Sequence, residues 1–207
     1  MENSKSVCTL STEENIKEAA KRVFLKKGFS GTKTRDIAEE AGENLALINY
    51  YFRSKKNLFQ LVMKEIFIAF LESSIPVFND KATGIQEKLE LFVEKHVTLC
   101  LQQPDIPLFV LNEMNENSEC LMGMGEEQNK LVIHSFFHHQ LESEYPNINP
   151  EHVLLNIIGM TLYPFLGRAM MCGMQGASDD NFLLLMEERK KMIPIWIMAT
   201  LNGTQRN

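Results

Sequence analysis

The sequence predicts an all-α protein, a three-helix head on a larger helical body, with about nine helices in all. Three observations predict it. Apolar residues recur at spacings of three and four along nearly the whole chain, and no stretch alternates with period two for long enough to make a strand. Helix-starting Ser and Asn, and helix-ending Gly and Pro, fall at the boundaries that this pattern implies.

Helix 1 is expected over Thr12–Lys27. Ser11 and Glu14 form a capping box, and Ile16, Ala20, Val23 and Phe24 make the buried stripe. Lys26 and Lys27 complement the negative end of the helix, Gly28 supplies a left-handed turn, and Phe29 folds back onto the last turn. A second helix over Lys33–Ala41 buries Ile37, Ala38 and Ala41. Gly42 turns the chain, and Asn44 caps a third helix over Leu45–Tyr51. Ser54 caps a long fourth helix, which places Leu58, Phe59, Val62 and Ile66 inward and ends near Pro76 and Asn79-Asp80.

Five helices are expected in the body, over Gly84–Gln102, Ile106–Asn115, Glu126–Glu144, Asn149–Cys172 and Asp179–Leu201. Pro104 and Pro107, the Met122–Gly125 loop, Tyr145-Pro146 and the Gly173–Ser178 stretch separate them. Pro164 is expected to kink its helix, because proline lacks the amide that the preceding turn needs.

At 207 residues with net charge -6, composition alone argues against a nucleic-acid partner, but the distribution matters more than the sum. Residues 1–60 hold eleven Lys/Arg against eight Asp/Glu, net +3, so the remaining 147 carry -9. A basic head on an acidic body lets one end meet phosphate while the other is repelled. Cys8, Cys100, Cys120 and Cys172 show no paired or ligand spacing and read as reduced thiols of a cytoplasmic protein. No run approaches the roughly eighteen apolar residues of a membrane span, and the first residues have no apolar core of a secretion signal.

The informative segment runs from Gly28-Phe29 through Thr32, Arg35-Asp36-Ile37-Ala38 and Ala41-Gly42 to Tyr51-Phe52, Ser54-Lys55 and Leu58-Phe59. Ala38 and Ala41 are small where two helices must cross closely, and Ile37 and Ile48 lock the crossing. Asn44, Asn49, Tyr50 and Tyr51 are left to face outward. This is the layout of a helix-turn-helix, whose second helix enters the major groove. Over residues 11–60 the order of these residues resembles the DNA-binding head of the tetracycline-repressor (TetR) family. Glu43, Ala46 and Asn49 depart from the usual pattern, where a small apolar residue, a glycine and a tyrosine are more frequent.

That resemblance implies a dimeric, effector-responsive regulator of transcription, with a DNA-binding domain at 1–56 and an effector-binding and dimerisation domain at 57–207. Repression at a palindromic operator is the family's default. The expected DNA contacts are Lys55 on phosphate, with Thr34, Tyr50 and Tyr51 as hydroxyl donors to the backbone, one of the two tyrosines pointing outward. Arg35 and Asn44 lie beside them. Leu45, Ala46 and Leu47 are expected against thymine methyls, and Asn49 against adenine.

In the body, an apolar effector pocket is expected where Phe92, His96, Cys100, Phe109, Met114, Phe136, Phe137 and Phe165 converge. The last two long helices are apolar on more than one face. Leu154, Ile157, Ile158 and Leu162 on one, with Leu184, Leu185, Met192, Ile195 and Trp196 on the other, are expected at a homodimer interface; a thick monomer core is the alternative. His134, His138 and Glu142 share a helical face, with His139 adjacent. Three ligands spread over two turns of one helix cannot reach a single ion, so no metal is expected. No cofactor is expected either. There is no His-Glu-x-x-His, phosphate loop or Gly-x-Ser-x-Gly, which argues against an enzyme. The remaining rival is a helical protein-interaction module that has lost operator binding, suggested by Glu43 beside the recognition helix.

Overall fold

The computed structural model describes residues 11–117, 126–175 and 179–204, and among them every regular element is an α-helix. In chain order these are α1 (Thr12–Gly31), α2 (Thr34–Ala41), α3 (Leu45–Phe52), α4 (Lys55–Asn79), α5 (Ile85–Gln102), α6 (Ile106–Glu116), α7 (Glu126–Ile133), α8 (Phe136–Glu144), α9 (Pro150–Leu166), α10 (Arg168–Gln175) and α11 (Asp179–Thr204). The chain divides into two compact units. One comprises the described residues of Met1–Glu65 and Asn112–Met122, the other those of Ile66–Leu111 and Gly123–Asn207. The first unit thus continues along α4 past residue 56 as far as Glu65.

The first unit starts as its sequence dictates. Ser11 Oγ accepts from Glu14 N and the Glu14 carboxylate accepts from Ser11 N, the reciprocal capping box. The helix breaks at Gly28, whose φ of 68° puts it in the left-handed region, and one further turn carries it to Gly31. Ile16, Ala19, Ala20, Val23 and Phe24 of α1 pack on Ile37 and Ala38 of α2, Ile48 and Phe52 of α3, and Leu58 and Phe59 of α4, all buried. Phe24 meets Phe59 edge-on, with ring centroids 5.1 Å apart, and Phe29 lies 4.6 Å from the same ring.

Two expected helices prove to be interrupted, whereas α4 ends at Asn79, within the expected boundary at Pro76 and Asn79-Asp80. The helix expected over Glu126–Glu144 is two, because Ser135 leaves the helix after Ile133 and caps α8 by accepting from His138 N. The helix expected over Asn149–Cys172 is interrupted at Gly167, where the backbone amide bonds back to Tyr163 and Phe165 carbonyls. The Met122–Gly125 loop, Cys8 and Cys120 lie outside the described residues.

In the second unit α5 is the central strut. It buries Ile85, Leu89, Phe92, Val93, Val97 and Cys100 against α8, α9 and α11. Phe78 of α4 stacks between Phe92 and Phe137 with centroids 4.9 Å from each. Pro164 inside α9 has no N–H, so the Met160 carbonyl one turn back lacks its helical donor. Arg189 of α11 supplies the replacement, with Nη2 donating to Met160 O at 2.7 Å. The guanidinium also lies 5.5 Å over the Trp196 ring.

Arg189→Met should therefore destabilise the protein by about 1–3 kcal/mol, the typical cost of stripping a buried carbonyl of its donor. In a Pro164→Ala background the restored amide serves the carbonyl, so the same change should cost measurably less. A double-mutant cycle by chemical denaturation measures the difference, and equal costs in the two backgrounds would refute the assignment.

Candidate nucleic-acid interface

The surface of α3 is defined by what its neighbours bury. Ile48 and Phe52 point into the core, while Ala46, Asn49 and Tyr50 face outward and Leu45 and Leu47 are half-buried at the edges. Of the two tyrosines, Tyr50 is the outer one, 77% exposed against 38% for Tyr51, whose ring lies edge-on to it at 5.1 Å. Asn44 Oδ1 accepts from Ala46 N at 2.9 Å, so its side chain holds the start of α3. Arg53, with φ of 64°, makes the sharp turn from α3 into α4.

On α2, Thr34 is half-buried at the first turn and Arg35 is exposed. Asp36 accepts from Lys33 N at 2.8 Å and pairs with Lys27 at 3.2 Å, and these contacts, the backbone one first, hold its carboxyl below the usual range. Gly42, with φ of 67°, closes the turn between α2 and α3, and Asn15 Nδ2 on α1 donates to Ala41 O at 2.9 Å. α2 is thus tied to α1 at both its ends.

Lys55 is placed differently from expectation. Its ammonium does not point outward from the start of α4; it donates to Phe29 O and Thr32 O, each at 2.8 Å, and lies 4.2 Å over the Phe29 ring. The opposite pole of the same turn is met by Glu113 of α6, a buried carboxylate whose Oε1 accepts from Phe29 N at 2.8 Å. Thr32 Oγ1 closes the loop onto Gly28 O at 2.7 Å. A lysine at a helix start looks in sequence like a phosphate ligand, and nothing local marks Glu113, 84 residues from Phe29, as its counterpart on that turn.

The expected effector residues do not converge on one space. A small cavity of about 60 Å³ lies between Phe70, Leu71, Ser74 and Phe78 of α4, Phe92 of α5, Val132 of α7 and Leu154, Ile157 and Ile158 of α9. Only Phe92 of the expected set lines it. Phe137 stacks behind Phe78, whereas Cys100, Phe109 and Phe165 are buried away from it. Phe136 packs under the Lys88 ammonium at 5.3 Å. Met114 belongs to the other unit and is 49% exposed, because its neighbour Glu113 takes the inward position on α6.

His96 is fully buried beside two of the lining rings, Phe70 at 4.1 Å and Phe92 at 4.7 Å. Thr161 Oγ1 gives its one proton to a carbonyl of its own helix, Ile157 O at 2.9 Å or Ile158 O at 3.0 Å. It therefore accepts from His96 Nδ1 at 3.0 Å, which leaves Nε2 as an acceptor with no partner among the described residues. Burial holds the imidazole neutral, with its pKa lowered from 6.5 to about 4.

On α9 and α11 an apolar face stays uncovered within the chain. Leu155, Ile158, Leu184, Met192, Ile195 and Trp196 are exposed, and Leu162 and Leu185 half-buried. One expected interface residue is corrected: Ile157 is completely buried, because the inward stripe of α9 runs through it, while Leu154, half-buried, lines the cavity as Ile158 does. Leu155 and Tyr163 occupy the outward positions instead.

A three-residue turn joining two short helices, the first braced on α1 and the second exposed along one face, defines a helix-turn-helix protein. Residues 16–62 match the family model for bacterial regulatory proteins of the tetR family. The probable HTH-type transcriptional regulator YttP of Bacillus subtilis (strain 168) is 27% identical over 76% of this chain and 78% of its own length. The HTH-type transcriptional repressor NicS of Pseudomonas putida is 38% identical over 39% of this chain and 38% of its own. In fold the chain is similar to a TetR-like transcriptional regulator from Rhodococcus sp. RHA1, with a TM-score of 0.70 at 18% identity, covering 94% of this chain and 100% of that one. Residues 16–62 thus match the DNA-binding head of the tetR family model, and the chain as a whole is similar in fold to a TetR-like regulator.

Lys55→Met should cost about 1.5–3 kcal/mol of stability, the worth of hydrogen bonds to a charged group. The slope of log DNA affinity against log salt should stay unchanged, since the ammonium meets carbonyls rather than phosphate. A slope smaller by about one would restore the phosphate role.

The sign for His96 follows from its lowered pKa. The unfolded chain takes up the proton first, so stability falls as pH drops from 6.5 towards about 4 and levels off below that. The loss is on the order of 3 kcal/mol. Urea titrations of His96→Leu across this range should lack that component; an identical pH profile in the variant would refute it.

Proposed function

We propose that the protein is a repressor acting in the cytoplasm, which binds a palindromic DNA operator as a homodimer and is released by a small, largely apolar effector. Residues 1–56 carry DNA binding, and 57–207 carry effector binding and dimerisation. The observation that carries this reading is the outward face of α3, where Ala46, Asn49 and Tyr50 are exposed while Ile48 and Phe52 hold the helix in place. Ala46 can approach a thymine methyl, Asn49 can pair with adenine, and Tyr50 and Thr34 offer hydroxyls to phosphate. Arg35 supplies an exposed charge on the same motif.

A single short recognition helix binds one half-site too weakly for useful specificity, so a second copy is needed. The exposed apolar residues of α9 and α11 support that pairing, since Leu, Ile and Trp grouped on two contacting helices make the kind of exposed patch that marks an interaction surface. The cavity beside His96 supports the effector. At about 60 Å³ it is far below the roughly 300 Å³ of an ordinary ligand pocket, so an occupant must widen it. Its walls are apolar and His96 Nε2 is an unused acceptor nearby, which favours an apolar molecule with one hydrogen-bond donor. Widening would move α4, which lines the cavity with Phe70, Leu71, Ser74 and Phe78.

Selection of bound duplexes from random DNA should yield a palindrome, and Asn49→Ala or Tyr50→Ala should weaken binding to it by about 1–3 kcal/mol with no loss of thermal stability. Ile195→Glu should give a monomer by analytical ultracentrifugation and lose the same binding. A chain that stays monomeric and indifferent to duplexes at low salt is an interaction module instead.

A further inference from the structure

The histidines near Ser135 are rearranged by the helix break. His134 lies past the end of α7 and outside α8, so it leaves the face it was expected to share with His138 and Glu142. The first turns of α8 bring together a different trio, His138, His139 and Glu142. Around a helix axis Glu142 lies about 40° from His138 and about 60° from His139, on the side between them. Its carboxylate reaches both imidazoles, with Oε2 3.6 Å from His138 Nδ1 and 3.3 Å from His139 Nδ1. One ligand atom from each of the three residues lies within 4.8 Å of the other two.

We propose that His138, His139 and Glu142 form a binding site for a divalent cation of the zinc class. Ligands about 2.0–2.1 Å from a tetrahedral ion stand about 3.3 Å from one another. Two of the three required edges are therefore already at or near coordination distance, and only the imidazole pair has to close. The donor set is two neutral nitrogens and one carboxylate oxygen, with a fourth position left to water. That set suits Zn²⁺, Co²⁺ or Ni²⁺, whereas Mg²⁺ and Ca²⁺ demand oxygen ligands.

The scaffold under these side chains is held independently of any metal. Phe137 and Leu141 of α8 are fully buried, and Gln140 Nε2 donates to Thr83 O at 3.2 Å on the other side of the helix. The Phe136 amide, in the first turn of α8, donates to Asn79 Oδ1 at 3.3 Å. His138 is mostly covered while His139 and Glu142 stay open to solvent, which gives an incoming hydrated ion a path. This reading does not depend on operator binding.

Full-length protein without an affinity tag, stripped with chelator, is titrated with Zn²⁺ by calorimetry and with Co²⁺ by visible absorption. One ion per chain is expected, with the absorption of a tetrahedral cobalt centre. Glu142→Gln and His139→Ala, both at exposed positions, should each weaken binding by at least about tenfold, the loss that even an outer-shell change causes. His134→Ala and His152→Ala should bind as the parent does. Absence of saturable binding at sub-millimolar metal, or equal affinity in Glu142→Gln, or an equal loss in His134→Ala, would overturn the site.

Discussion

The turn from Gly28 to Thr32 is a break between two helices, and the position of α2 and α3 depends on how its polar groups are met. Phe29 is held by both of its backbone polar groups. Its N–H goes to the buried Glu113 carboxylate, and its C=O goes to the Lys55 ammonium, which also takes Thr32 O. An anion on the donor and a cation on the acceptor strengthen both hydrogen bonds beyond the neutral case. Because Lys55 is the first residue of α4, the same contact sets the start of that helix. Gly28 is required here on two counts: its positive φ, and a Cβ that would meet Glu113 Oε1 at 3.3 Å.

A similar exchange of backbone for side-chain partners joins α9 to α11. Pro164 removes one helical hydrogen bond, and Arg189 restores it from a different helix. What would be a local defect becomes a cross-link, at the cost of holding the guanidinium largely out of water, which lowers its pKa. The proposed dimer surface is thus carried on two helices tied to each other by a charge-assisted bond.

Most of the fold was legible because it rests on local rules. Ser11 and Glu14, Asn44, Ser54, Gly28 and Gly42 do what their types imply within four residues of chain, and the structure bears each of them out. The outward side of α3 was equally legible, since burial of Ile48 and Phe52 sets the exposed positions by helical period. The misreadings are of two kinds. Helix boundaries were missed at Ser135 and at Gly167, each inside a stretch read as one continuous helix. Side-chain roles were misread wherever the deciding partner is remote: Glu113 and Lys55 meet on a turn distant from one of them, and Met114 is turned out because Glu113 is turned in. Periodicity names the faces of a helix but not which face a distant segment covers.

The pocket shows the same limit with a functional consequence. Aromatic residues at helical spacing do assemble, but into a stacked column of Phe137, Phe78, Phe92 and His96 rather than an open chamber. Such a column is well packed, and a packed interior resists continuous deformation. Entry of a ligand then has to displace a whole element instead of filling a void. On α9 the residues lining the cavity, Leu154, Ile157 and Ile158, alternate with Leu155 and Tyr163 on the outer face. A shift of α9 that widens the cavity must therefore also move the outer surface, and Arg189 passes that movement to α11. If the outer face of α9 is the dimer surface proposed above, an occupant of the cavity would alter that surface through the same helix.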